Sequence, residues 1–407
     1  QLKGLKAGIY TFKHPPENQI MYIEPGDSLL IWLNTLDFDK SLNFSGTGAE
    51  KSSFLLDMFL LNQKNNDLIL KYYKIEPKEF AKLTDSIKEE RIEKLAQLKK
   101  DEKLSENFLN IAESSINYEY YDLRERYTFL IRKYFSEFAD KIPNDFNDYR
   151  KNIDFNNEQL QDYYVYTNLI DDFLRSQSIE YCNDKHNNAH DCYNLNDYKN
   201  IERRMILIDS LSNVPGIKNE FLDRLAVQSI TSAEKKERVD SILKLLENIK
   251  YSGLEDARNL ANIQKKYLIG ESIADLGIRD TQGNLKTFDA IINKPTIIYA
   301  WSIFAPAHHK WQHSLINDLR KKYPELNFYA SNIDADHTKE WLQVIQTSGY
   351  NPEYEIQIAN RSVGTEVYKK YLNKIIFVDE SGKIVKGDIQ LNPPAEFEKK
   401  ILEFLNQ

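Results

Sequence analysis

Apolar strand patterns alternate with helical patterns over residues 268–407. Runs rich in β-branched and aromatic residues recur as PTIIYAWSI, LNFYASNID and KIIFVDESGKIV, and segments with apolar residues at helical spacing separate them. Such runs form buried strands, and the helices between them cover the sheet. DESGK predicts a tight turn between two antiparallel strands. We therefore predict an α/β domain with a mixed central sheet.

Two further blocks precede this domain. Residues 1–54 carry short alternating patterns, and Glu24–Asp27 (EPGD) is a strong turn signal because proline and glycine preset its torsions. In residues 55–267 glycine is scarce and apolar residues recur every three or four positions, which predicts helices. The predicted fold class is multidomain α+β, with a small β domain at 1–54, a helical domain at 55–267 and the α/β domain at 268–407.

Charge and hydropathy exclude two classes of partner. The 407 residues carry a formal net charge of −8 without a stripe of interleaved Lys, Arg and aromatic residues, so we expect no nucleic-acid partner. No apolar run approaches the roughly 18 residues that span a bilayer, and the first residues, QLKGLKAGIY, contain no secretory hydrophobic region. We expect membrane association only through a lipid anchor outside the printed residues.

The only two cysteines, Cys182 and Cys192, lie in a polar segment, YCNDKHNNAHDCYN. Their closeness favours a disulfide, which would stabilise the fold by about 2.5–3 kcal/mol and indicate an oxidising compartment. A metal site is the more specific alternative, because His186 and His190 lie between the two thiols and could serve as further ligands. Structural zinc sites, however, usually draw their ligands from two separated pairs, and free thiols are the third alternative. None of the three is a catalytic site.

The segment YLIGESIADLGIRDTQGNLKTFDAIINKPTIIYAWSIFAPAHHKW resembles the thioredoxin-like domains of periplasmic thiol-disulfide oxidoreductases of the TlpA/ResA type. Those domains carry a tryptophan and a Cys-x-x-Cys pair where a buried strand leads into a helix. In the register of this resemblance, Trp301 matches the tryptophan and Phe304 the aromatic residue before the nucleophile. Ala305 and His308 stand where the family has its two cysteines, Pro306 and Ala307 lie between them, and Asn373 falls on the family's cis-proline.

Without the two cysteines, this corner lacks the groups that carry out disulfide exchange. A helix N-terminus lowers the pKa of a thiol and holds the thiolate, but Ala305 has no thiol to activate. Disulfide exchange also needs a second sulfur. The resemblance therefore implies the fold without the redox reaction, with no catalytic residue and no cofactor. It also implies a binding groove for a protein segment, formed by Trp301, Phe304, Ala305, Pro306, Ala307, His308 and Asn373.

Histidines offer an alternative chemistry at the same corner. His309 and His313 are four residues apart on one helix face, a spacing that suits one metal ion, and His308 and His337 could approach them. The helix has no carboxylate at matching spacing, so solvent-exposed histidines on an amphipathic helix are the expected arrangement. We predict no metal site here.

A second resemblance covers the N-terminal block. MYIEPGDSLLIWL and LNFSGTGAEKSSFL are similar to the end of a small β domain found at the N-terminus of thioredoxin-family proteins of the Bacteroidota. Members are exported to the periplasm, commonly as outer-membrane lipoproteins. The resemblance implies a non-catalytic protein of the periplasm or cell surface that binds protein partners, as an accessory subunit of an envelope or outer-membrane assembly. The alternative is an enzyme with an altered active site, related to thiol-disulfide oxidoreductases or dependent on metal.

Overall fold

The computed structural model describes residues 4–14, 17–185, 192–359, 375–389 and 391–406. The chain divides into two compact units, residues 1–222 and residues 223–407. The three domains proposed from the sequence stay a prediction. Within the described residues, no helix is both long enough and apolar enough to span a bilayer.

The first unit contains two strand pairs followed by helices. Its strands are β1 (Gly8–His14), β2 (Glu17–Ile23), β3 (Ser28–Trp32) and β4 (Asn43–Thr47). Its helices are α1 (Phe38–Ser41), α2 (Ala49–Leu70), α3 (Pro77–Asp101), α4 (Glu106–Tyr134), α5 (Ser136–Ala139), α6 (Tyr164–Lys185) and α7 (Tyr198–Leu211), and α8 (Pro215–Ser232) continues into the second unit.

The predicted turn at Glu24–Asp27 is confirmed and is anchored to a helix. The backbone N–H of Asp27 donates to the carbonyl of Glu24 over 3.1 Å, which closes the turn. The ammonium of Lys51 in α2 lies 2.6 Å from the Glu24 carboxylate and 2.7 Å from that of Asp27. Strands β2 and β3 flank this turn but do not pair with each other, since β2 pairs with β1 and β3 with β4, both antiparallel.

The helices of the first unit pack through large apolar side chains. Helix α4 begins at the N-cap Ser105, whose hydroxyl accepts a hydrogen bond from the backbone N–H of Phe108 over 3.2 Å. Further along α4, Tyr127 stacks on Phe80 of α3 with ring centroids 3.8 Å apart. Helix α6 packs against α4 as well. The apolar spacing that predicts helices in this region thus corresponds to their buried faces.

The second unit carries one mixed sheet. Its strands are β5 (Gly277–Asp280), β6 (Leu285–Thr287), β7 (Thr296–Trp301), β8 (Asn327–Asn332), β9 (Glu355–Ile358), β10 (Ile375–Val378) and β11 (Ile384–Ile389). Its helices are α9 (Lys236–Asn248), α10 (Leu254–Gln264), α11 (Pro306–Lys322), α12 (Thr338–Ser348) and α13 (Pro394–Leu405). The described strands lie in the order β11-β10-β7-β8-β9-β5-β6.

The structure confirms the mixed strand directions predicted for this sheet and the antiparallel hairpin predicted at DESGK. Strands β7, β8 and β9 run parallel, while β10 pairs antiparallel with β7 and β11. Strand β7 is central, and its side chains alternate between two cores: Tyr299 and Trp301 face α11, α12 and α13, whereas Ile298 and Ala300 face the opposite side. The corner between β7 and α11 therefore stands at the carboxyl end of a central strand. Its surroundings form the candidate site.

Candidate functional site

The corner between β7 and α11 is held by one carboxylate. Asp334, after β8, accepts hydrogen bonds from the Ser302 hydroxyl over 2.9 Å and from the Ile303 backbone N–H over 2.8 Å. The side chain of Asn332 donates to the same carboxylate over 3.0 Å. From β9, Gln357 donates to the backbone carbonyl of Asp334 over 2.9 Å. These contacts fix the loop to the ends of β8 and β9.

Helix α11 begins at the position where the resemblance places the redox motif. Ala305 is its N-cap residue and Pro306 its first residue, where the fixed backbone torsion of proline suits a helix start. Pro306 and Ala307 are exposed, while Ala305 and His308 are half-buried. Ala305 and His308 thus flank the first turn of the helix, and neither has a thiol.

The aromatic residues of the motif occupy opposite environments. Phe304 is 69% exposed, and its ring meets the edge of His337 with centroids 5.1 Å apart. Trp301, by contrast, is fully buried in the core between β7 and α11. Its indole therefore packs inside the core beneath the β7–α11 loop and is not accessible to a binding partner. Asn373 lies outside the described residues.

Both cysteines of the chain are joined in a disulfide, as the sequence favoured. The Cα atoms of Cys182 and Cys192 are 5.5 Å apart, and the described residues include no free cysteine. The metal-site and free-thiol alternatives for these two cysteines are therefore wrong for this structure, because bonded sulfurs are not thiolate ligands. His186 and His190 lie outside the described residues. Since the chain has only two cysteines, the bond leaves it without a thiol.

Removing this disulfide has a predicted effect on stability. Because the bond closes a loop of about ten residues, the C182S/C192S variant should lose roughly 2.5–3 kcal/mol of unfolding free energy. Denaturant titration of the variant beside the oxidised wild type, each with and without reductant, measures the loss. Reductant should destabilise only the wild type. A variant as stable as the oxidised wild type would contradict the prediction.

The expectation of exposed histidines on α11 is wrong: His309 and His313 are both buried. The Nδ1 of His309 lies 2.7 Å from the hydroxyl of Tyr350. The Nδ1 of His313 lies 2.7 Å from the backbone carbonyl of His309, so this nitrogen carries the proton and donates it. The imidazole of His313 also stacks on the Tyr350 ring, with centroids 3.7 Å apart and planes 5° apart.

A buried carboxylate completes this cluster. Glu355 of β9 is 2.9 Å from the Nε2 of His313 and accepts a hydrogen bond from the Trp301 indole N–H over 3.2 Å. Burial raises the pKa of Glu355, although its hydrogen bond to His313 acts in the opposite direction. The sequence search for a carboxylate on the helix itself missed Glu355. In the sequence, a sign of a buried carboxylate is that Glu355 and Gln357 alternate with isoleucines in EIQI. In the structure all four residues of this strand are buried.

The side chains of His309, His313 and Glu355 are not arranged as a metal site. Both ring nitrogens of His313 already have hydrogen-bond partners, and so does the Nδ1 of His309. Across the described parts of both units, no group of three or more His, Cys, Asp or Glu side chains is placed to hold a metal ion. The cluster instead ties α11 to β7, β9 and the segment after α12. These contacts hold α11 against the sheet.

The buried His309 should make stability depend on pH. Desolvation, helped by the nearby His313, lowers the pKa of His309 to about 4, whereas an unfolded histidine titrates near 6.5. Between these values the unfolded chain binds more protons, so stability falls as pH decreases through this window. From pH 7 to pH 4.5 this residue should account for roughly 2–3 kcal/mol of lost stability.

The His309→Gln variant tests this pH dependence. Glutamine keeps a polar partner for Tyr350 but does not titrate, so its unfolding free energy should fall less between pH 7 and pH 4.5 than that of the wild type. Urea titrations at both pH values give the comparison. Equal losses in the two proteins would contradict the assignment. His14, an exposed histidine of β1, provides the matched control as His14→Gln.

Comparison with solved structures finds similarities that each span about a third of the chain. The C-terminal domain of a candidate thiol-disulfide oxidoreductase from Bacteroides thetaiotaomicron is 19% identical, with 34% of this chain and 98% of that chain covered and a TM-score of 0.28. For a candidate thiol:disulfide interchange protein DsbE from Chlorobium tepidum, the identity is 14%, the coverage 33% and 96%, and the TM-score 0.28.

A domain of a candidate thiol-disulfide isomerase from Cytophaga hutchinsonii is 19% identical, with 34% of this chain and 96% of that chain covered and a TM-score of 0.28. No model of a known protein family matches the chain, and no curated protein matches it. These likenesses transfer no residue role to this chain.

Proposed function

We propose that this chain is a non-catalytic protein of the cell envelope that uses a thioredoxin-like C-terminal unit to bind a protein segment. In this proposal it acts in the periplasm or at the cell surface as an accessory subunit of an envelope or outer-membrane assembly. The oxidising compartment that the Cys182–Cys192 disulfide favours supports this location.

The observation that carries the proposal is an ordered corner without sulfur. The β7–α11 corner is braced by Asp334 and by the buried cluster around His313, and the resemblance matches Ala305 and His308, which have no thiol, to the family's two cysteines. Thiol-disulfide exchange proceeds by attack of a thiolate and needs a second thiol to release the product. An ordered corner without either group retains a shape that can bind but lacks the reacting atoms.

Two pairs of neighbouring aromatic side chains lie at or beside the corner. Phe304 and Trp311 are 69% and 41% exposed, His308 lies beside Trp311 with ring centroids 6.1 Å apart, and His337 lies beside Phe304. We call these four residues the aromatic patch. Exposed aromatic side chains on a rigid support are typical anchors of protein interfaces. Trp311 was not singled out from the sequence, where it stood as one aromatic residue of an amphipathic helix.

The test is affinity purification of the tagged endogenous protein from native envelope membranes, followed by mass spectrometry. The wild type is compared with a Phe304→Ala/Trp311→Ala variant and with Leu402→Ala, which truncates an exposed residue of α13 away from the patch. We expect a stoichiometric protein partner with the wild type and the control, and recovery reduced about tenfold or more in the double variant. A protein purified alone, or a partner retained by the double variant, would count against the proposal.

A further inference from the structure

The strand pair β3–β4 in the first unit exposes apolar side chains on one face. Leu30 and Trp32, two residues apart on β3, are 61% and 65% exposed, and Leu36 in the following loop is 93% exposed. The alternate residues Leu29 and Ile31 pack toward the core against α2. Solvated single apolar residues are ordinary, but these are large and lie next to one another along a strand and its loop.

The backbone of β3 is also open on one side. Among the described strands, β3 pairs with β4 alone, so every second residue of β3 directs its N–H and C=O away from that partner. Among the described residues, none outside β4 forms a hydrogen bond to the backbone of Ser28–Trp32. The contrast with β2 is clear, because the Ser52 hydroxyl bonds both the N–H and the C=O of Tyr22, and the Gln19 side chain accepts from the N–H of Ile20.

Three other edges of the described sheets carry features that oppose strand pairing, whereas β4, NFSGT, the second edge of the β3–β4 pair, lacks charge and proline as β3 does. β1 contains Lys13, the three-residue β6 contains Lys286, and β11 contains Lys386 and pairs irregularly with β10. Lysines, short strands and bulges are the usual means of blocking such edges. β3, SLLIW, has no charge, no proline and a regular register with β4. It is therefore an edge that a strand can extend.

We propose that β3 pairs antiparallel with β3 of a second copy of this chain, forming a four-stranded sheet with β3 strands at its centre. The sequence of β3 is complementary to itself in the register centred on Leu30. That register sets Leu30 against the same residue of the second copy and sets the large Trp32 against the small Ser28. No like charges meet, and the interface is the same on both copies, as a two-fold dimer requires. This inference does not depend on the function proposed for the aromatic patch.

Sedimentation equilibrium of the purified full chain tests the pairing. The wild type should show a monomer–dimer equilibrium below about 100 μM, and Leu30→Lys should raise the dissociation constant at least tenfold. The matched control is Leu70→Lys, at a leucine that is 71% exposed at the end of α2 in the same unit, and it should leave the constant unchanged. A wild type that stays monomeric, or a dimer unaffected by Leu30→Lys, overturns the proposal, whether or not the strand captures another protein.

Hydrogen exchange keeps the test decisive if the lysine variant fails to fold. In the wild type, amides of β3 should be several-fold better protected at concentrations where the dimer forms than at concentrations where it does not. Amides of β2 should not change. Equal exchange of β3 amides in monomer and dimer would place the interface elsewhere and overturn the proposal.

Discussion

Arg150→Met is expected to destabilise the first unit by about 3–5 kcal/mol, because it leaves a buried carboxylate without its counter-charge. Arg150 forms a two-pronged ion pair with Glu125 of α4, with N–O distances of 2.5 and 2.8 Å, and the Glu125 side chain is fully buried. A further guanidinium nitrogen lies 3.0 and 2.9 Å from the carboxylate oxygens of Glu180 in α6. Arg150 thus joins two helices through charge.

Lys151→Met provides the matched control for this prediction. Lys151 is the neighbouring cation, its pair with Asp148 is exposed on both sides, and its loss should change stability by no more than about 1 kcal/mol. Both variants are compared with the wild type by denaturant titration followed by far-ultraviolet circular dichroism. If Arg150→Met proves no more destabilising than Lys151→Met, the buried ion pair does not hold these helices together.

Trp301→Ala is expected to destabilise the second unit by about 3–5 kcal/mol, the usual loss for deleting a buried tryptophan side chain. The indole is fully buried and donates a hydrogen bond to Glu355. It contacts the tilted ring of His309 at 5.0 Å and that of His313 edge to face at 5.3 Å between centroids. Its removal leaves a cavity and takes one of two side-chain partners from the buried carboxylate. The loss is measured as the unfolding free energy of the full chain.

Phe304→Ala separates this structural role from binding. Phe304 belongs to the same stretch of sequence, but its exposed ring should change stability by no more than about 0.5 kcal/mol when truncated. Trp301→Ala should thus lower stability, whereas Phe304→Ala should weaken partner capture in a stable protein. The assignment of the two aromatic residues would fail if Trp301→Ala were as stable as Phe304→Ala.

Local patterns identified much of the architecture. The apolar run of β7 has all six residues buried, as a central strand requires, and DESGK forms the turn between β10 and β11. Two cysteines ten residues apart gave the disulfide. These features depend on residues that are close in sequence, where periodicity, turn chemistry and loop length act directly.

The contacts that sequence patterns missed join residues that are distant along the chain. Glu355 lies 42 residues from His313, so a search for ligands along one helix could not find it. Glu125 and Arg150 are separated by 25 residues, and in sequence each is one charge among many. His309 is buried because it packs against Trp301 and Tyr350. Helical spacing alone does not predict these contacts. Only tertiary structure brings such groups together.

We propose that the β7–α11 corner carries out no thiol-disulfide exchange. Reduction of insulin by dithiothreitol, followed by turbidity, tests this most directly with the purified full chain and the C182S/C192S variant, and with a thioredoxin as positive control. We expect both proteins to leave the rate at the level of dithiothreitol alone, because neither Ala305 nor His308 can supply a thiolate. A rate clearly above that background in the wild type would contradict it.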